Sequence, residues 1–110
     1  MPRERTYSRY TRDAATLLAK QIQLGRKQRK WTEHELADRA GISRATLQKI
    51  EKGDLSVAVG LVLEVATLVG VTLFDEARSS LAAHIARTDD KLALLPSAVR
   101  KRNMPVDDEF

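Results

Sequence analysis

The stretch Thr32–Gly53, TEHELADRAGISRATLQKIEKG, decides how this chain is read. Thr32 is followed three residues on by Glu35, the spacing at which two side chains cap each other's backbone N–H groups at a helix start. Trp31 before it and Leu36 after it stand at the two positions of a hydrophobic staple. Together they predict a helix over Glu33–Ala40. Gly41 supplies the left-handed residue that ends a helix at little cost. Ser43 can then cap a second helix, Arg44–Lys52, which stops at Gly53. Leu36, Ile42, Leu47 and Ile50 fall on inward positions. Ala37 lies where the two helices cross, and a larger side chain there would push them apart. The outward face of the second helix presents Arg44, Ala45, Gln48 and Lys49, with no apolar stripe.

Two short helices joined by the three-residue turn Gly41-Ile42-Ser43 form a helix-turn-helix unit. On its N-terminal side a helix is predicted from Arg12 to Lys30, with Ala14, Leu17, Leu18, Ile22 and Gly25 on one face. Residues 1–10 form a flexible basic arm, with Tyr7 and Tyr10 among arginines. On the C-terminal side Asp54–Ser56 makes a turn. Ser56 is placed to cap a helix over Val57–Val69, closed by Gly70. Only Glu64 and Thr67 in that helix are clearly polar, and a chain this small cannot bury such a helix completely. Either Val59 or Leu63 faces a second subunit, or the segment 73–95 covers the helix. Thr72 with Asp75 and Glu76 marks a further helix start, acidic residues lying at its positive end. Leu73, Ala77, Leu81, Ile85, Leu92 and Leu95 carry helix, continuous or restarted, as far as Pro96. The fold class is therefore all-α, with five to six helices in one domain over residues 11–95. Residues 96–110 read as a mobile tail with Arg100, Lys101, Arg102, Pro105 and the ending Asp107-Asp108-Glu109-Phe110.

Composition agrees with packed helices. Of the 110 residues 43% are hydrophobic and 5% aromatic, so the core is aliphatic. Without cysteine there are neither disulfides nor cysteine-based metal sites. The N-terminal decapeptide is polar and basic, unlike a secretory signal. The most apolar run, Val57–Val69, falls short of the roughly 20 residues a membrane span needs. These features predict a cytoplasmic protein with no membrane partner. The first thirty residues hold nine Lys or Arg against Glu4 and Asp13, so their charge is +7 in a chain of net +4. That asymmetry suits a polyanionic partner, or else a solvated basic terminus. No catalytic set is present. His34 and His84 have no second ligand at metal spacing, and no glycine-rich phosphate loop occurs, so neither an enzyme nor a metal or cofactor is expected.

From about Leu17 to Ser80 the sequence resembles the Xre, or phage-repressor-like, helix-turn-helix family. The matching residues are Ile22, Arg26 and Arg29, then Trp31-Thr32, Glu35-Leu36-Ala37, Gly41-Ile42-Ser43, Leu47, Ile50-Glu51, Gly53, Leu68 and Gly70-Val71. The resemblance implies a four- to five-helix fold that binds double-stranded, palindromic operator DNA as a homodimer. It implies a salt bridge between Arg26 and Glu51 that braces the second helix of the unit. It assigns base reading to Arg44, Ala45, Gln48 and Lys49. Arg44 can offer two parallel donors to guanine, and Ala45 can meet a thymine methyl. Thr32, Ser43, Thr46 and Lys52 are placed for phosphates, which set register rather than sequence. Many relatives carry a DNA-contacting glutamine where this chain has Glu33. A carboxylate repels phosphate, so that contact is lost or turned to a cytosine amino group. The basic arm either follows the DNA or only adds nonspecific attraction.

A narrower resemblance rests on YSRYTRDAATLLAKQI, EVATLVGVTLFD and the tail LLPSAVRKRNMPVDDEF. These are similar to a subgroup of short Xre proteins, the HipB-type antitoxins that partner HipA-type kinase toxins. The similarity implies a repressor of its own operon that also silences a kinase toxin. Asp107, Asp108, Glu109 and Phe110 could dock in such a partner's cleft, or merely keep the tail solvated. A plain dimeric repressor and a protein–protein adaptor on the same fold are the alternatives. Arg44 and Lys49 on the outward face speak against the adaptor.

Overall fold

The computed structural model describes residues 5–74 and 80–99. They form five helices and no strand: α1 (Arg9–Gln28), α2 (Glu33–Ala40), α3 (Arg44–Glu51), α4 (Val59–Leu68) and α5 (Leu81–Ala93). Among the described residues the fold is all-α. The chain divides after Leu73 into two compact units.

In the first unit α2 packs on α3 and α4, and α1 packs on α3 and α4. Ile22, Leu36, Leu47 and Val65 are its largest fully buried side chains, with Ala37, Ile50, Ala66 and Val69 between them. Burial of one such aliphatic side chain stabilises by about 1.5–3 kcal/mol. Ala37 is 2% exposed, which leaves no room for a larger residue between α2 and its neighbours. Trp31 packs on the rim of this cluster and lies under the Arg39 guanidinium, 4.2 Å from its ring centre.

The helix ends follow local chemistry. Thr32 accepts from the Glu35 backbone at 3.0 Å, and the Glu35 carboxylate accepts from the Thr32 N–H at 2.8 Å. Ser43 caps α3 by accepting from the Thr46 N–H. Gly41 closes α2 with φ of 70°, in the left-handed region.

Four expectations need correction. Helix α1 runs from Arg9 to Gln28 rather than from Arg12 to Lys30: the Ser8 hydroxyl accepts from the Thr11 N–H and caps its start, and Lys30 takes a left-handed φ of 60° past its end. Its inward face is Leu18, Ala19, Ile22, Gly25 and Arg26, while Ala14 and Leu17 are exposed. Ser56 does not cap α4: its N–H and hydroxyl both donate to Asp54 Oδ1, and the helix begins two residues later than expected, at Val59. No helix starts at Thr72, since Val71–Leu73 is irregular, and Ser80 caps α5 instead. Asp75 and Glu76 lie outside the described residues, as do Ala77 and the tail from Arg100 onward, including Asp107, Asp108, Glu109 and Phe110.

Candidate nucleic-acid interface

Helix α3 presents opposite chemistries on its two sides. Leu47, Ile50 and Glu51 are buried, whereas Arg44, Ala45 and Lys49 are exposed and Thr46 and Gln48 are half-buried. The buried side is fixed in orientation from α1. Arg26 Nε donates to Glu51 Oε2 at 2.8 Å and its Nη2 donates to Glu51 Oε1 at 3.0 Å. This is the two-pronged guanidinium–carboxylate pairing, with side chains 10% and 6% exposed. The Glu51 hydrogen bond and charge hold the Arg26 pKa above its ordinary value, against the opposing effect of burial. The third arm, Nη1, donates to the Trp31 carbonyl at 3.1 Å, so one guanidinium ties α1, the turn before α2 and the end of α3 together.

Two residues to which the sequence assigned no role add to this frame. Gln23 Nε2 donates to the Glu51 carbonyl at 2.6 Å, meeting one of the carbonyls a helix end leaves open. Arg29 Nη1 donates to the Val69 carbonyl at 2.7 Å. It places a positive charge where the ends of α1 and α4 direct their negative poles. Gln23 and Arg29 each stand three residues from Arg26, and Arg29 is also among the residues that carry the family resemblance.

The outward residues stand at the start of α2 and along α3. Ser43 and Thr46 sit at the N-terminus of α3, where Ser43 Oγ donates to Thr46 Oγ1 at 2.9 Å. Both hydroxyls thus lie beside a helix end that attracts anions. Thr32 is exposed at the start of α2 and Lys52 at the end of α3. Glu33, in the first turn of α2, accepts from Gln48 Nε2 at 3.2 Å and from Arg44 Nε at 3.4 Å. These two bonds, Gln48 first, hold the Glu33 carboxyl below the usual glutamate range. His34 faces outward beside Asp38 at 3.4 Å, and His84 belongs to α5. Neither is joined by two further ligands in a metal-holding cluster among the described residues.

Residues 22–75 match the family described as helix-turn-helix. This segment is an Xre-like helix-turn-helix domain. Such a domain binds DNA and regulates transcription, and the match begins at Ile22 in α1 and runs through the whole of α2, α3 and α4. A search among curated proteins gives no match. Within the helix-turn-helix domain, α3 is the second helix of the motif; in DNA-bound helix-turn-helix proteins generally the second helix lies in the major groove. None of the helices among the described residues is long and apolar enough to cross a membrane.

Proposed function

We propose that this protein is a sequence-specific transcriptional repressor that binds a palindromic operator as a homodimer. The observation that carries the reading is the asymmetry of α3, whose buried side is locked by Leu47, Ile50 and the Arg26–Glu51 pair. A helix held so firmly can offer its outer side chains to base edges without losing order on binding. Arg44, Ala45, Gln48 and Lys49 read bases on this reading, and Thr32, Ser43, Thr46 and Lys52 take phosphates. Self-association is supported by apolar side chains left outward on α4, Val59 at 71% and Leu63 at 41% exposure.

The test is a titration of the DNA upstream of its own gene against scrambled duplex at two salt concentrations. A preference of about a thousandfold or more that survives the higher salt supports the reading. Binding that vanishes with salt and ignores sequence overturns it in favour of an adaptor. Arg44→Ala is expected to relax base preference by about 1–3 kcal/mol. Lys52→Ala should instead weaken every duplex alike. If both changes weaken all sequences equally, α3 is not the reader.

The reading extends to a second partner, a HipA-type kinase toxin. Its support is the similarity of the α1 lead-in, the end of α4 and the tail to HipB-type antitoxins. A kinase-like reading frame beside this gene is the first check. Trimming residues 97–110 should then spare operator binding and abolish co-purification with that kinase. Retained co-purification would exclude Asp107, Asp108, Glu109 and Phe110 as the docking element.

A further inference from the structure

Glu33 is the only acidic side chain bonded to the outward residues of α3 among the described residues, and its position has consequences for what the surface can read. Both donors, Gln48 Nε2 and Arg44 Nε, land on the same oxygen, Oε1. A charged carboxylate accepts hydrogen bonds and cannot donate one. The Gln48 amide therefore cannot turn its own oxygen toward Glu33 without setting two acceptors against each other. Its carbonyl oxygen and second N–H are left for a ligand, and that donor–acceptor pair matches the major-groove edge of adenine. Arg44 gives up only its Nε, so the two terminal nitrogens that fit guanine remain available. The Glu33 side chain is 29% exposed, and it lines a cleft with Arg26, Lys27, Glu51 and Lys52. Lys27 and Lys52 in the lining can take a phosphate, whereas the Glu33 carboxylate itself repels one and offers an acceptor to a base amino group.

We propose that Glu33 is a specificity-determining residue: its carboxylate fixes the amide orientation of Gln48, restrains Arg44, and disfavours phosphate-only contact with α3. The proposal rests on the reading of α3 as the base-reading helix. It makes Glu33 an element that lowers binding to the wrong DNA more than binding to the right one. Such repulsive elements are a general route to discrimination.

The experiment starts with selection of preferred duplexes from a random library by the full chain. The wild type, Glu33→Gln and Glu33→Ala are then titrated on the selected and the scrambled duplex at several salt concentrations. Glu33→Gln keeps the shape but removes the charge and lets residue 33 donate as well as accept. It is expected to raise affinity for scrambled duplex several-fold, with a salt slope steeper by about one. Discrimination should fall by about tenfold, concentrated at the base pair that faces Gln48. Glu33→Ala should give the same gain on scrambled DNA and a larger loss of discrimination. Thermal melting shows that each variant is folded. If Glu33→Gln keeps the wild-type ratio and salt slope, or weakens all DNA alike, the proposal is overturned while the reading of α3 stands. If the wild type itself selects no sequence, both are overturned.

Discussion

The Arg26–Glu51 pair is where the chemistry of a single residue has the widest effect. Each charge is nearly out of water, and each is acceptable only because the other is there. Removing one partner leaves a buried charge without compensation, so Glu51→Ala is expected to lower stability by about 3–5 kcal/mol. Replacing both by apolar residues of similar size, Arg26→Met with Glu51→Leu, should recover most of that loss. Urea unfolding of the two single variants and the double variant measures this. A double variant as weak as Glu51→Ala would mean that the Arg26–Trp31 carbonyl bond, not the ion pair, is the main brace. The same cycle read by DNA binding separates two roles, because the apolar pair can restore stability without restoring the angle at which α3 is presented.

Between elements, the close approach of α1 to the end of α4 depends on Gly25. A Cβ at that position would lie 2.6 Å from the Val69 carbonyl oxygen and 3.0 Å from its Cβ. That oxygen is also the one Arg29 holds, so α4 cannot shift without breaking the Arg29 bond. Gly25→Ala gains about 1 kcal/mol in helix propensity. We nevertheless expect a net loss of about 1–3 kcal/mol from overpacking. Gly60→Ala on α4 is the control, since a Cβ there meets nothing within 4 Å, and it should stabilise by about 0.5–1 kcal/mol. Denaturant midpoints for the two variants should move in opposite directions. Equal shifts would show that α1 and α4 have slack at their contact.

The same scale shows what could be read from the sequence. The starts of α2 and α3 were legible because Thr32, Glu35 and Ser43 act on N–H groups within three residues of themselves. The end of α1 was not. Lys30 occupies the left-handed position with φ of 60°, and nothing in a lysine announces that conformation. The turn is set instead by the Trp31 N–H donating to the Arg26 carbonyl and the Lys30 N–H to that of Lys27. The start of α4 was misread because Ser56 had a nearer partner in Asp54. In the candidate interface, the outward residues of α3 were legible from helical spacing alone. The bonds from Glu33 to Arg44 and Gln48 were not, since they bridge 11 and 15 residues and depend on how α2 crosses α3.

At the scale of the whole chain, the two units differ in what holds them. The core lies in residues 1–73, whereas α5 has thirteen residues and none of them is buried. An isolated helix of that length is marginal in water. In dilute protein the amides of α5 should exchange with solvent orders of magnitude faster than those of Leu47 or Val65, whose opening requires the core to come apart. Hydrogen exchange at two protein concentrations checks this. Protection of α5 that rises with concentration would place the helix against a second copy of the chain. Equal protection of α5 and α3 at high dilution would contradict the division.

The chain contains a single tryptophan, and its placement makes the molecule its own instrument. Trp31 rests on the core beside two guanidinium groups, Arg39 at 4.2 Å and Arg29 at 5.8 Å from the ring centre. Its light emission therefore reports on the core of residues 1–73, against which it packs. Far-ultraviolet circular dichroism, by contrast, sums over every helix. Unlabelled protein followed by both signals through one thermal scan will reveal whether the units melt together. Coincident curves mean one cooperative body, and a dichroic loss that precedes the shift in emission means that α5 lets go first.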